Sequence, residues 1–220
     1  MSNVLFYGGE NKKMEAETKM EINVAIIDAC VFTQLALSHI CMELNANIIV
    51  SNYCTLSAFI EASLTQNHDM VFYDVLSSDE ILIDLDSDIA RIKRTNQDCK
   101  VFNFSIINEY MPTLSADFSL SKGVKIGCVR ALINNVLVKS PSRMSAGYQA
   151  LTEKNRKLNQ QQISVLRGYL YNLHTKEIAR ALDCNPRRIY ALWQQVVKLF
   201  GASKHDQQQF YRHIGRLIDP

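Results

Sequence analysis

The sequence predicts a five-stranded, doubly wound parallel α/β sheet followed by a separate all-α domain of four helices. Three observations lead there. Up to about residue 139 short apolar segments alternate with helix-like ones, beyond about residue 158 the apolar period is that of a helix alone, and the charge changes sign between the two parts. Residues 1–150 hold 12 Lys+Arg against 17 Asp+Glu, a balance of −5, whereas residues 151–220 hold 12 against 5, or +7. Opposite signs in a 220-residue chain with 47% hydrophobic residues point to two domains with different partners, and the basic one suits a polyanion.

The predicted strands are 22–28, 47–53, 69–74, 100–105 and 117–121. Each is short, β-branched or aromatic and almost continuously apolar, as strands buried on both faces of a parallel sheet must be. Helices are predicted at 32–43, 56–65 and 84–94, and a last one at 124–138 closes the sheet. The 110–116 connection contains Pro112 and reads as irregular. The domain therefore spans 22–139. A charged tail, 1–21, precedes it, and 140–157, which carries Pro141, Gly147 and several serines, reads as a linker.

From residue 158 to 220 the pattern is helical. Asn159 and Gln162 have capping-box spacing, and Ile163, Leu166, Leu170 and Leu173 follow on one face. Asn172 stands where a chain leaving a helix turns left-handed. A second helix runs from about Thr175 to Leu182. Asn185-Pro186 supplies an N-cap and a first-turn proline for a third, which reaches Phe200 and is closed by Gly201. Ser203 caps a fourth, at 204–218.

The third helix separates into two faces at about 100° per residue. Ile189, Leu192, Trp193, Val196 and Phe200 form the apolar one. Opposite lie Arg187, Ala191, Gln194 and Lys198, flanked by Tyr190 and Gln195, with Arg188 to the other side. Entry into a DNA major groove needs this arrangement, with hydrogen-bonding side chains for base edges and cations around them for phosphates. Arg pairs with guanine and Gln with adenine in bidentate fashion, and small Ala191 permits close approach. Thr175 and Lys176, at the positive end of the second helix, are natural phosphate contacts.

Several function classes are excluded. There is no run of about 18 apolar residues, and the first twenty residues are too polar for a signal peptide, so a cytoplasmic protein without a membrane partner is expected. The six cysteines form no C-x-x-C pair and read as buried thiols. Asp84, Asp86 and Asp88 open like a calcium loop, but Ile89 and Thr95 stand where it needs Gly and Glu. The histidines lie apart and no nucleophile, base and orienting acid can be assembled. No metal, cofactor or enzymatic activity is expected.

These motifs carry a resemblance. LNQQQISVL (158–166), KEIARAL (176–182), Asn185-Pro186-Arg187-Arg188-Ile189 and Phe200-Gly201 are similar, without a gap, to the helix-turn-helix domain of LuxR/FixJ (NarL-type) transcription regulators. The resemblance implies groove-reading residues at Tyr190, Ala191 and Gln194 and a fourth helix used for dimerisation. Leu192 and Leu199 stand where that family commonly has His and Lys, and Tyr190 and Gln194 where cations are frequent, which weakens phosphate neutralisation by a single domain.

The first domain resembles a response-regulator receiver over 22–139. VAIIDACVFTQLAL (24–37) aligns with the first strand and helix, HDMVFYD (68–74) with the strand ending in the phosphorylated aspartate, and FSLSKG (118–123) with the segment around the pocket lysine. The resemblance places Asp74 as phosphoacceptor, with Asp28, Ser105 and Lys122 around it. Ala29 fills the place of the second magnesium-binding acid. Phosphoryl transfer depends on that metal to neutralise developing charge, so a degenerate phosphorylation pocket is expected. Degenerate receivers on such DNA-binding domains resemble the RcsA-like and BglJ-like auxiliary regulators, which implies double-stranded DNA and a homodimer or a heterodimer with a full response regulator as partners. The alternatives are a conventional regulator phosphorylated on Asp74, a sensor of a small molecule such as a nucleotide second messenger, and a protein-only antagonist of another regulator.

Overall fold

The computed structural model describes residues 21–79, 85–108, 115–138 and 158–200. The predicted tail, the linker, the 204–218 helix and most of the 110–116 connection lie outside them. The elements run β1 (Ile22–Ile27), α1 (Val31–Leu44), β2 (Ile48–Tyr53), α2 (Leu56–Ala62), β3 (Met70–Tyr73), a 3-10 turn (Val75–Ser77), α3 (Leu85–Thr95), β4 (Lys100–Ser105), β5 (Phe118–Ser121), α4 (Ile126–Val138), α5 (Gln160–Leu170), α6 (Thr175–Ala181) and α7 (Pro186–Leu199). All strand pairs are parallel, in the order β2-β1-β3-β4-β5. That order reverses between β1 and β3, so a site is expected at the carboxyl ends of those strands.

The apolar strands divide two cores between them. On one face Val24, Ile26, Phe72, Phe102 and Phe104 pack against Leu37 and Ile40 of α1 and Leu132 and Ile133 of α4. Phe72, Phe102 and Phe118 stack in a ladder across β3, β4 and β5, with ring centroids 4.6 and 4.8 Å apart. On the other face Ala25, Ile27, Val71 and Tyr73 meet Phe59 of α2 and Ile89 and Ile92 of α3. This second core does not stop at the sheet. It continues without a break into Leu158, Ile163, Leu166, Ile178, Ile189, Trp193 and Val196, the core of the helical domain.

Local signals place the helices. Thr55 Oγ1 accepts from the Ala58 N–H to start α2, which ends three residues earlier than predicted because Leu64 and Thr65 close onto carbonyls only three residues back. Asn159 and Gln162 form the predicted capping box, and Asn172 takes the predicted left-handed conformation with φ 57°. The Asn185 carboxamide accepts from Arg187 N–H, with Pro186 in the first turn of α7. Gly168 lets α5 and α6 meet: a Cβ there would lie 2.7 Å from Ile178 Cγ1. One expectation needs correcting. All six cysteines are free thiols, but only Cys30, Cys41 and Cys99 are buried. Cys54 and Cys128 are exposed because one follows the edge strand β2 and the other lies on the outer side of α4. Among the described residues no helix is long and apolar enough to cross a membrane.

Candidate functional site

Asp28, Asp74 and Lys122 follow β1, β3 and β5 directly, and Ser105 ends β4, so the sheet delivers all four to one end. Lys122 Nζ lies 2.7 Å from Asp28 Oδ2 and 2.6 Å from Asp74 Oδ2. The other carboxylate oxygens accept backbone N–H groups, Asp28 Oδ1 from Cys30 and Asp74 Oδ1 from Leu76. Both aspartates are only 3% exposed. Burial, with the Asp74 carboxylate beside it, pushes the Asp28 carboxyl up to about 6 in spite of Lys122. Burial also works against the charged Lys122, but the two carboxylates together outweigh it and hold its pKa above the ordinary lysine value. Ser105 Oγ is buried and bonded to none of the described residues.

A receiver-type magnesium ion does not fit this donor set. Ala29 offers no carboxylate, and its backbone N–H is donated to Ser77 Oγ at 2.9 Å. The two remaining acids have an ammonium group between them and no oxygen without a partner, whereas magnesium demands near-octahedral oxygen ligation.

The 3-10 turn after Asp74 is also where the helical domain docks. Arg167 of α5 donates its Nε to the Val75 carbonyl at 2.8 Å, and its Nη2 reaches the same carbonyl and Asp88 Oδ2, the latter at 2.9 Å. Tyr73 Oη donates to that Asp88 oxygen at 2.6 Å. Tyr171 Oη, just beyond α5, donates to the carbonyls of Ser78 and Leu76 at 2.6 and 3.2 Å. The turn that hydrogen-bonds the Asp74 side chain through Leu76 N–H therefore holds the second domain through its carbonyls.

This docking uses α5 and leaves the polar face of α7 open. Arg187, Arg188, Tyr190, Ala191, Gln195 and Lys198 are exposed and Gln194 is half-buried, while Ile189, Leu192, Trp193, Val196 and Val197 are buried. Two of the predicted groove residues are tied back to α5: Arg188 Nη2 donates to Gln161 Oε1 at 2.8 Å, and Gln195 Oε1 accepts from Gln162 Nε2 at 2.9 Å. Lys176 is exposed at the start of α6, but the Thr175 hydroxyl is engaged with Tyr169 Oη at 3.0 Å.

No family model and no curated protein matches the sequence. Solved structures do match its fold. RcsB from Salmonella enterica serovar Typhimurium, bound to promoter P1flhDC in the presence of phosphomimetic BeF3−, superposes with a TM-score of 0.57 at 17% identity over 87% of this chain and 98% of its own. Two RcsB dimers bound to two parallel DNAs give 0.59 at 16% identity with the same coverage. The chain has the two-domain fold of RcsB. The five-stranded sheet with its flanking helices is the receiver-like part, and α5, α6 and α7 belong to the helical part.

The structure thus brings together Asp28, Asp74 and Lys122, places Ser105 at the same end without a bond to them, and sets Arg187, Ala191, Gln194 and Lys198 on one side of α7. Sequence reasoning missed Arg167, Asp88 and Tyr171. A signal was present for two of them. Arg167 falls within the apolar stripe of α5, one turn from Ile163, and Asp88 lies one turn from the buried Ile92, so each charge points into a core. A polar cleft of about 450 Å³, lined by His68, Asp69, Arg94 and Asn96, opens at the opposite end of the strands and contains none of the predicted site residues.

Proposed function

We propose that this chain is a sequence-specific, DNA-binding transcription regulator that reads the major groove with α7, and that its receiver-like domain serves pairing, with a copy or with a full response regulator, rather than a phosphorylation switch. One observation carries the reading. Arg187, Tyr190, Ala191, Gln194 and Lys198 form the outer face of a helix whose opposite face is buried core, and the docking through α5 leaves that face uncovered. Exposed Lys176 and Arg180 on α6 add phosphate-neutralising charge beside it. The RcsB structures of the same fold are on DNA, which supports the reading. The pocket supports its second half, because a lysine bridges the two acids and Ala29 supplies no carboxylate ligand.

Capture and sequencing of genomic fragments by the purified full chain tests the proposal. The wild type is expected to enrich a common site, and Arg187→Ala with Gln194→Ala to lose it, each bidentate contact being worth about 1–3 kcal/mol. Unchanged enrichment by the double variant would refute DNA reading by α7.

A further inference from the structure

Two glutamines stand next to each other on α7, and their surroundings give them different chemistry. Gln194 has neither end of its carboxamide bonded to a described residue, so it keeps both the donor and the acceptor that bidentate pairing with adenine needs. Gln195 does not. Its Oε1 accepts from Gln162 Nε2 at 2.9 Å, which leaves its NH2 group as the end that no described residue bonds.

The direction of that bond is set by the backbone. Gln162 Oε1 accepts the Asn159 N–H at 2.8 Å in the capping box that starts α5, and a backbone N–H can only donate. The Gln162 oxygen is thereby committed, its NH2 faces α7, and Gln195 meets it with oxygen. Gln162 is 6% exposed, so its amide depends on these partners rather than on water. The same polarity holds one residue earlier. Arg188 Nη2 donates to Gln161 Oε1 at 2.8 Å, and a guanidinium has no acceptor, so the Gln161 oxygen is committed as well.

Arg188 and Gln195 are two helical turns apart and therefore lie along one side of α7, beside the first turn of α5. Along this edge the ends left unbonded by described residues are donors: the rest of the Arg188 guanidinium and the NH2 groups of Gln161 and Gln195. The edge flanks the face of Arg187, Ala191 and Gln194 rather than forming part of it. Phosphate oxygens, which only accept, are what a row of donors at the rim of a groove-reading face suits.

We infer that the α5/α7 edge grips the DNA backbone, with Arg188, Gln195 and Gln161 as phosphate donors, and that Gln162 is a positioning residue that sets the donor polarity of Gln195. The inference deepens the DNA-binding reading and rests on it. It confines base discrimination to Arg187, Ala191 and Gln194. Because Gln161 and Gln162 hold the two side chains before DNA arrives, less side-chain freedom is lost on binding.

Binding titrations of the full chain test it, on the site recovered by genomic capture and on its single-base variants, at several salt concentrations. A scan that replaces single phosphates by neutral methylphosphonates accompanies them. Arg188→Ala is expected to lower affinity equally on all sequences and to reduce the slope of log K against log salt by about 1. Gln162→Glu still accepts the Asn159 N–H but has no donor at neutral pH, so Gln195 turns its NH2 to the new carboxylate and its oxygen toward the phosphate. It is expected to lower affinity about tenfold on all sequences and to erase the penalty of one methylphosphonate. The added charge by itself is read in a Gln195→Met background, where no carboxamide is left to turn, and there the same substitution is expected to cost less than about threefold. Gln195 is exposed, so Gln195→Met is expected to keep the melting temperature and to lose that methylphosphonate penalty on its own, whether or not Gln162→Glu folds.

Equal costs of Gln162→Glu in the two backgrounds overturn the positioning role. Arg188→Ala or Gln195→Met changing the preferred base, with the salt slope and the methylphosphonate pattern in place, overturns the backbone grip. A wild type that binds no DNA sinks this inference together with the reading it rests on. Enrichment unchanged by Arg187→Ala with Gln194→Ala refutes base reading by α7 alone, whereas failure of the grip shows in the phosphate measurements.

Discussion

Arg167 and Asp88 form an ion pair across the two domains, 2.9 Å apart with side chains 1% and 0% exposed. Asp88 Oδ1 has no hydrogen-bond partner among the described residues, so the pair is buried at considerable desolvation cost and is held by Tyr73 and the Val75 carbonyl as much as by its own attraction. Removing one member leaves the other charged in the core. Arg167→Met is expected to cost about 3–5 kcal/mol of interdomain stability, and adding Asp88→Leu to recover part of it. Denaturant unfolding checks this. The wild type is expected to unfold in one transition because the core is continuous between domains, and Arg167→Met in two.

The acid pocket has its own pH signature. Burial and the neighbouring Asp74 carboxylate place the Asp28 carboxyl at about 6, above the unfolded value of about 3.9. The folded state therefore holds the proton more tightly, and this contribution is full at low pH and lost as pH rises from about 4 to about 6. Asp28→Asn keeps a neutral side chain at all pH values. It is expected to flatten that part of the stability profile and to exceed the wild type by on the order of 1 kcal/mol above neutral pH. Urea melts at a series of pH values read the difference, and parallel profiles for the two proteins would sink the assignment.

Phosphoryl chemistry at Asp74 is expected to be absent. Lys122 and the Leu76 N–H engage its two oxygens, and the neighbouring Ala29 adds no carboxylate and has its N–H committed to Ser77. Incubation with magnesium and acetyl phosphate should leave the intact mass unchanged, and beryllofluoride should shift neither the melting temperature nor the sedimentation profile. An added phosphoryl mass mapped to Asp74 overturns this.

The elements were legible in the sequence wherever periodicity and capping agreed. The strand at 100–105 was placed to the residue, and Asn172, Asn159 and Asn185 each do what their chemistry predicts, because these signals act within a few residues. The convergence of Asp28, Asp74 and Lys122 was also legible, since a parallel sheet sends the ends of its strands to one side. What stayed hidden depends on tertiary placement. Arg167 and Val75 are 92 residues apart, and no local pattern states that α5 docks on the turn after β3. The exposure of Cys54 and Cys128 and the ties from α5 to Arg188 and Gln195 follow from which sides of their elements neighbours leave uncovered.

The ties from α5 divide the α7 face into braced and unbraced side chains, and the proposed DNA reading gives the two kinds different expected effects. Arg188 and Gln195 are braced by Gln161 and Gln162, whereas Lys198, two turns beyond Ala191, is exposed on the side suited to a phosphate. A phosphate contact contributes counterion release and no sequence information, so Lys198→Ala is expected to lower affinity about equally for all sequences and to reduce the slope of log K against log salt by about 1. Gln194→Ala should do the reverse, leaving the salt slope in place while relaxing the preference at one base pair. Binding titrations at several salt concentrations, on the recovered site and on single-base variants of it, separate the two. If Gln194→Ala changed the slope and left the preference intact, Gln194 would be a backbone contact and the base reading would have to come from Arg187 and Tyr190.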